Sequence, residues 1–311
     1  MAKELTGVSI EEDKSRREAL SPFLPADESR PLSARMLVDF GSTSHCGHVR
    51  PHNEDHFLIL RLTRAQHVLA TSLVSPDLPG PFEEYGYAML IADGLGKDGS
   101  GSMASRVALS TIAHLALHHG KWNLRVDRKI AEELYERAEW FYNRADEAVV
   151  ATAKQNPATT DIATALTVAY SAGADLTVAH VGHTRAYLHR RGGLLRLTED
   201  HTIDRHLARI GRPVSIERRG QDLQHILTDA VGARGDRPIV EVEQFTLEDG
   251  DTLLLCTNGL TDMVPESRIA DVLAARRRSQ EQCEMLTDLA LAAGGEDNVT
   301  VVVAQYRLPS L

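Results

Sequence analysis

The chain has 311 residues, 25% charged and 42% hydrophobic, which is globular composition and excludes a fibrous or wholly disordered protein. A formal net charge of -10 argues against duplex nucleic acid or an anionic membrane surface as partner and favours a basic substrate segment. The longest apolar stretches are far too short to span a bilayer, and the opening Met-Ala-Lys-Glu lacks the apolar core of a signal peptide, so the sequence predicts a cytoplasmic protein with no membrane partner.

Residues 1–34 mix both charge signs with Ser and with Pro22, Pro25 and Pro31, which predicts a mobile tail ahead of one domain over residues 35–308. Short apolar runs at 36–40, 55–62 and 85–92 predict strands, with residues 63–84, rich in Pro, as an insertion loop. Two amphipathic helices follow at 103–119 and 128–154, the first with Val107, Leu109, Ile112, Leu115 and Leu117 as its apolar residues. Residues 122–126 form one more short strand candidate between them. Strands are expected again at 162–170, 175–181, 185–190, 239–245, 251–257 and 298–306, and helices at 266–275 and 279–293. Short turns such as Ser171-Ala172-Gly173-Ala174 imply antiparallel pairing, and paired helices imply helical layers outside the sheets. Residues 203–224, with several Arg and Gly211-Arg212-Pro213, read as an irregular flap. Cys46, Cys256 and Cys283 lack any CxxC spacing and are expected to be buried, reduced thiols.

Acidic and amide side chains recur beside glycines or at the ends of these runs. They stand in Arg50-Pro51-His52-Asn53-Glu54-Asp55, Asp93-Gly94-Leu95-Gly96, Gly182-His183-Thr184-Arg185, Thr257-Asn258-Gly259-Leu260 and Gly295-Glu296-Asp297-Asn298. Carboxylates that end buried strands can converge at one sheet edge, and hard divalent cations such as Mg²⁺ or Mn²⁺ favour such oxygen clusters. Gly94-Leu95-Gly96-Lys97-Asp98-Gly99 also fits a dinucleotide-binding GxGxxG, but Asp93 beside it would repel a pyrophosphate.

In order and spacing these motifs resemble the metal-dependent serine/threonine protein phosphatases, the type 2C or PPM family, and most closely its bacterial members. The resemblance runs from about Met36 to Tyr306 and includes Leu197-Thr198-Glu199-Asp200-His201. It implies an α+β fold, a four-layer α-β-β-α sandwich of two packed antiparallel sheets. It also implies hydrolysis of phosphoserine or phosphothreonine by a metal-activated water, with two Mn²⁺ or Mg²⁺ ions and a phosphorylated protein, including a serine/threonine kinase, as substrate. Asp93 would bridge both ions, Gly94 would supply a carbonyl oxygen and Asp297 would ligate the first ion. Glu54 and Asp55 would hold ion-bound waters, and Arg50, a planar fork of donors, would clamp the phosphate.

The chain departs from the family pattern at several of these places. Asn258 and His183 stand where the family carries metal-binding aspartates, Leu95 replaces a histidine acid of some relatives, Ala163-Thr164-Ala165 replaces Gly-Thr-Thr, and Lys97 lies in a turn that is His-rich elsewhere. An amide oxygen brings no charge to a hard cation, so Asn258 is expected to weaken the first metal site, and the His183 imidazole suits Mn²⁺ better than Mg²⁺. The expectation is a phosphatase of reduced activity; the alternative is a catalytically inactive pseudophosphatase that keeps the fold for binding.

Overall fold

Strands that read as unbroken apolar runs are those covered on both faces, and the sandwich is built around three of them. The computed structural model describes residues 36–72, 82–119, 128–155, 161–211, 223, 225–233 and 237–308. The expected tail over 1–34 and the strand candidate over 122–126 lie outside them. In chain order the elements are β1 (Leu37–His45), β2 (His56–Gln66), β3 (Phe82–Leu95), α1 (Gly101–His119), α2 (Arg128–Gln155), β4 (Ala163–Ala172), β5 (Asp175–Val181), β6 (Arg185–Arg190) and β7 (Gly193–Arg196). There follow α3 (Ile203–Arg209), β8 (Glu241–Thr246), β9 (Thr252–Cys256), α4 (Asn258–Thr261), α5 (Glu266–Ala274), α6 (Ser279–Ala292) and β10 (Val299–Arg307).

The strands form two five-stranded sheets, ordered β1-β10-β9-β6-β7 and β2-β3-β4-β5-β8, and every ladder is antiparallel. Because side chains alternate along a strand, β3 sends Tyr87, Met89 and Ile91 into the seam between the sheets. Its Ala88, Leu90 and Ala92 face α1 and α2. In the same way β10 gives Val302, Ala304 and Tyr306 to the seam and Val299, Val301 and Val303 to the α5–α6 layer. The result is the expected α-β-β-α order.

Helix α1 corrects the expected apolar face. It lays Ala104, Ser105, Ala108, Leu109 and Ile112 on the sheet, while Leu117 is 74% exposed. Small side chains let this helix approach β3 closely, and Tyr142 of α2 fills the space beside it with its hydroxyl donating to Ala179 O at 2.7 Å. The insertion expected over 63–84 is strand at both ends, since β2 runs to Gln66 and β3 begins at Phe82, while residues 73–81 lie outside the described residues. Eleven consecutive Cα pairs from His56↔Ala92 to Gln66↔Phe82 hold this extension, so ladder pairing overrides the charge of Glu83 and Glu84. The flap expected over 203–224 opens with a true helix, α3. Cys256 and Cys283 are buried as expected, but Cys46 is only partly so.

Candidate metal and phosphate site

The inward parity of the seam continues past the last apolar residue into a polar end. On β3, Ile91 is followed by Asp93; Phe57 of β2 is preceded by Asp55; Leu255 of β9 is followed by Thr257; Val302 of β10 is preceded by Thr300. Asp93 and Gly94, expected just beyond a strand that ends at Ala92, lie within the ladder, paired with Ala165 and Thr164. Thr164 Oγ1 donates to Asp93 O at 2.7 Å, which fixes the backbone that carries the carboxylate. A Cβ on Gly94 would run into Gly101 O and lie 2.7 Å from Glu54 O, so only glycine lets these backbones meet.

Asn298 assembles the rest. Its side-chain oxygen accepts from Glu54 N at 2.8 Å, and its nitrogen donates to Cys46 O at 2.8 Å and His52 O at 2.9 Å, so β10 pins the whole Cys46–Glu54 loop. Glu54 Oε1 accepts from Gly101 N at 2.6 Å, tying that loop to the start of α1. Asp55 is buried; its Oδ2 accepts from Thr257 Oγ1 at 2.8 Å while its Oδ1 has no partner. Arg50 Nη2 donates to Asp297 Oδ2 at 2.8 Å, an ion pair between two of the predicted site residues.

The carboxylates crowd one another electrostatically. Burial, together with the charges of Asp297 and Glu54, pushes the Asp93 carboxyl up to about 8. Burial and the charge of Asp93 hold Asp55 well above the usual carboxylate range, and burial raises Glu54. Oppositely, burial lowers His183, whose Nε2 stands 3.8 Å from Asp93 Oδ2 and whose Nδ1 is buried without a partner. A low-dielectric cluster of acids that resist ionisation together is one that a cation relieves.

Asn258, at the start of α4, is buried and its Nδ2 donates to Asp262 Oδ2 at 3.0 Å. Asp262 was not singled out from the sequence. It is raised by burial, sits 3.8 Å from His225 Nδ1, and its charge is felt at both Asp93 and His183. The spacing of four residues from Asn258, one helical turn, is the signal that could have found it. Lys97 is exposed. Gly182 and His183 are framed by His201 N donating to Gly182 O at 2.7 Å and by His180, which burial and the nearby His201 hold down to about 3 and therefore neutral.

The residues present suit a divalent cation. The acids whose charges bear on Asp93 offer oxygen donors, with the His183 imidazole the one nitrogen at 3.8 Å, and Asp55 Oδ1 is buried and partnerless. The described carboxylates are nonetheless not preassembled, for no group of three or more His, Cys, Asp or Glu among the described residues stands ready to hold a metal ion.

A family model described as protein phosphatase 2C matches residues 82–292. The chain belongs to the protein phosphatase 2C family. The serine/threonine phosphatase stp of Listeria welshimeri is 31% identical over 222 residues, 71% of this chain and 84% of that protein. The serine/threonine protein phosphatase PstP of Mycobacterium tuberculosis is 30% identical over 216 residues, 70% of this chain and 40% of that protein. A crystal structure of M. tuberculosis PstP aligns with a TM-score of 0.66 at 26% identity, over 86% of this chain and 98% of that one. The PstP catalytic domain in complex with two manganese ions aligns at 0.65 and 26%, over 88% and 99%. As a protein phosphatase 2C member the chain is a phosphoprotein phosphatase with metal-dependent catalysis. The match spans Asp93, Gly94, His183, Asn258 and Asp262; Arg50, Glu54, Asp55 and Asp297 lie outside it. No described helix is long and apolar enough to cross a membrane.

Proposed function

We propose that the chain hydrolyses phosphoserine and phosphothreonine in proteins, serine/threonine kinases among them, at a centre for two Mn²⁺ or Mg²⁺ ions held by Asp93, the Gly94 carbonyl, Asp297 and Asn258. The observation that carries this reading is the convergence of Asp93, Asp55, Glu54 and Asp297 at one end of the inter-sheet seam, where Asp55 Oδ1 is buried without a partner and the charges of Asp297 and Glu54 add to burial in raising Asp93. When bound, such ions would lower the pKa of a coordinated water and neutralise phosphoryl oxygens. Arg50 binds and orients the phosphate; Glu54 and Asp55 orient the attacking water by accepting from it. Leu95 can donate no proton, so the leaving alkoxide takes one from water rather than from a side chain.

Asn258 contributes an amide oxygen without charge, and Asp262, one turn away, supplies negative charge that Asn258 lacks. This arrangement supports slowed turnover rather than none. His183, with its Nδ1 free inside the protein, is the donor for a further ion and favours Mn²⁺ over Mg²⁺.

The test is hydrolysis of an aryl phosphate and a phosphothreonine peptide across Mn²⁺ and Mg²⁺ titrations. Metal-dependent turnover by the native chain that disappears in Asp93→Ala is expected. Metal-independent turnover would refute the metal centre, and no turnover in the native chain together with recovery in Asn258→Asp would refute the native activity and leave a scaffold with a disabled centre.

A further inference from the structure

Asp297 has both carboxylate oxygens engaged by the chain itself. Arg50 Nη2 donates to Oδ2 at 2.8 Å, and the backbone N of Asn298 donates to Oδ1 at 2.8 Å. The Arg50 backbone is pinned, since Cys46 Sγ donates to Arg50 O at 3.1 Å and Asn298 fastens Cys46 O and His52 O on either side. The Arg50 side chain is 54% exposed. Of the two partners only the guanidinium is therefore free to swing, while Asp297 stays fixed at the end of β10.

A hard divalent cation draws a carboxylate oxygen to about 2.1 Å and strips it of competing donors. A guanidinium already bonded at Oδ2 blocks that approach both sterically and by like charge. We propose that Arg50 and a divalent cation occupy Asp297 in turn, so that arrival of the cation releases the guanidinium to the phosphate of the substrate. This rests on the metal-centre reading above and adds an order to it: the phosphate clamp becomes available only once the metal is in. Arg50 is then a positioning residue for the cation as well as a substrate contact. By linkage, phosphate that captures Arg50 must tighten the cation by the same factor.

The test uses calorimetric titration of Mn²⁺ into the chelator-stripped full chain and into Arg50→Ala, Asp297→Ala and the double variant. For an exposed ion pair the release of competition is worth about fivefold in affinity, so Arg50→Ala should bind Mn²⁺ about fivefold more tightly than the native chain. In the Asp297→Ala background the Arg50 substitution should change nothing, because the contact it relieves is gone. An equal gain in both backgrounds would overturn the exchange and leave only general repulsion. Unchanged or weaker Mn²⁺ binding by Arg50→Ala, with binding weakened in Asp297→Ala, would overturn it while sparing the metal centre. Absence of Mn²⁺ binding in every form would overturn both. A second readout needs no substitution: NMR signals of the Arg50 guanidinium should show hindered rotation in chelator and free rotation in saturating Mg²⁺. Persistence of the hindered state in Mg²⁺ would refute the proposal.

Discussion

Replacing Asn258 by Asp restores a family-like charge, and the structure sets what that does to the metal-free protein. The Asn258 amide donates to Asp262 Oδ2 at 3.0 Å. In the variant a second carboxylate oxygen faces Asp262 at similar range, and two such charges repel by about 5 kcal/mol at an effective dielectric near 20. Proton uptake caps this, because a proton bound at pH 7 costs about 1.4 kcal/mol per unit by which the carboxyl pKa lies below 7, burial has already raised Asp262, and the proton rebuilds one hydrogen bond. The net loss is about 3 kcal/mol, which for a domain of this size lowers Tm by roughly 6–12 °C in chelator. Saturating Mn²⁺ should reverse part of it, since tenfold tighter binding at fixed Mn²⁺ returns about 1.4 kcal/mol. The assay is differential scanning calorimetry of native and Asn258→Asp chains in chelator and in a Mn²⁺ series. Equal Tm values in chelator would show that the amide does not bear on Asp262. A gap that Mn²⁺ fails to narrow would refute Asn258 as a weakened ligand.

The same site has a pH signature. With its carboxyl at about 8, folded Asp93 keeps a proton that the unfolded chain has released above about 4, so metal-free stability should fall as pH rises through that window. Glu54, Asp55 and Asp262, also raised, add slope of the same sign, and Asp93→Asn should flatten the Tm-versus-pH curve in chelator without levelling it. Thr257→Val removes the donor to Asp55 Oδ2 and the acceptor of Thr300 N, both fully buried, and should cost about 2–4 kcal/mol in urea unfolding, whereas Thr257→Ser should recover most of it. Asp200→Asn takes the shared anion from Arg185, whose Nη2 lies at 2.7 Å, and from Arg196, and should destabilise by about 3–5 kcal/mol; a loss below 1 kcal/mol would show the cluster to be solvent-screened.

Fold was legible where burial imposes a period. β3, β9 and β10 are covered on both faces and read as apolar runs, and α2 shows its spacing in Tyr142, Ala145, Val149 and Ala153. What escaped was short or locally ambiguous. β7 is only Gly-Leu-Leu-Arg, too brief for alternation to register, and α4 is Asn-Gly-Leu-Thr, which reads as a turn until β9 and β10 place it. At the site, the motif residues were visible because each sits at a strand end beside a glycine or a turn. Their mutual relations were not, because Arg50 and Asp297 are 247 positions apart and meet only when β1 pairs with β10. Asp262 was hidden for another reason: an acid that caps a short polar helix looks like solvated surface until the Asn258 amide is seen to donate to it.

Between the apolar seam and the acids lies a belt of hydroxyls, and it explains how a buried carboxylate is tolerated without being neutralised by a base. Ser44 Oγ and Thr300 Oγ1 bond at 2.8 Å, Asn53 Nδ2 donates to Ser44 Oγ at 2.8 Å, and Thr257 bridges Thr300 N to Asp55. These donors satisfy Asp55 Oδ2 and leave Oδ1 bare. A lysine or arginine in the belt would stabilise the metal-free chain more, but it would also occupy the oxygen cluster permanently. Neutral donors hold the carboxyl groups in place without occupying them, and Arg50, which does reach in, is mounted on an exposed side chain. The metal-free site therefore keeps protons on acids that burial and their neighbours' charges hold from ionising together, and a divalent cation, which relieves that cost, is the preferred occupant.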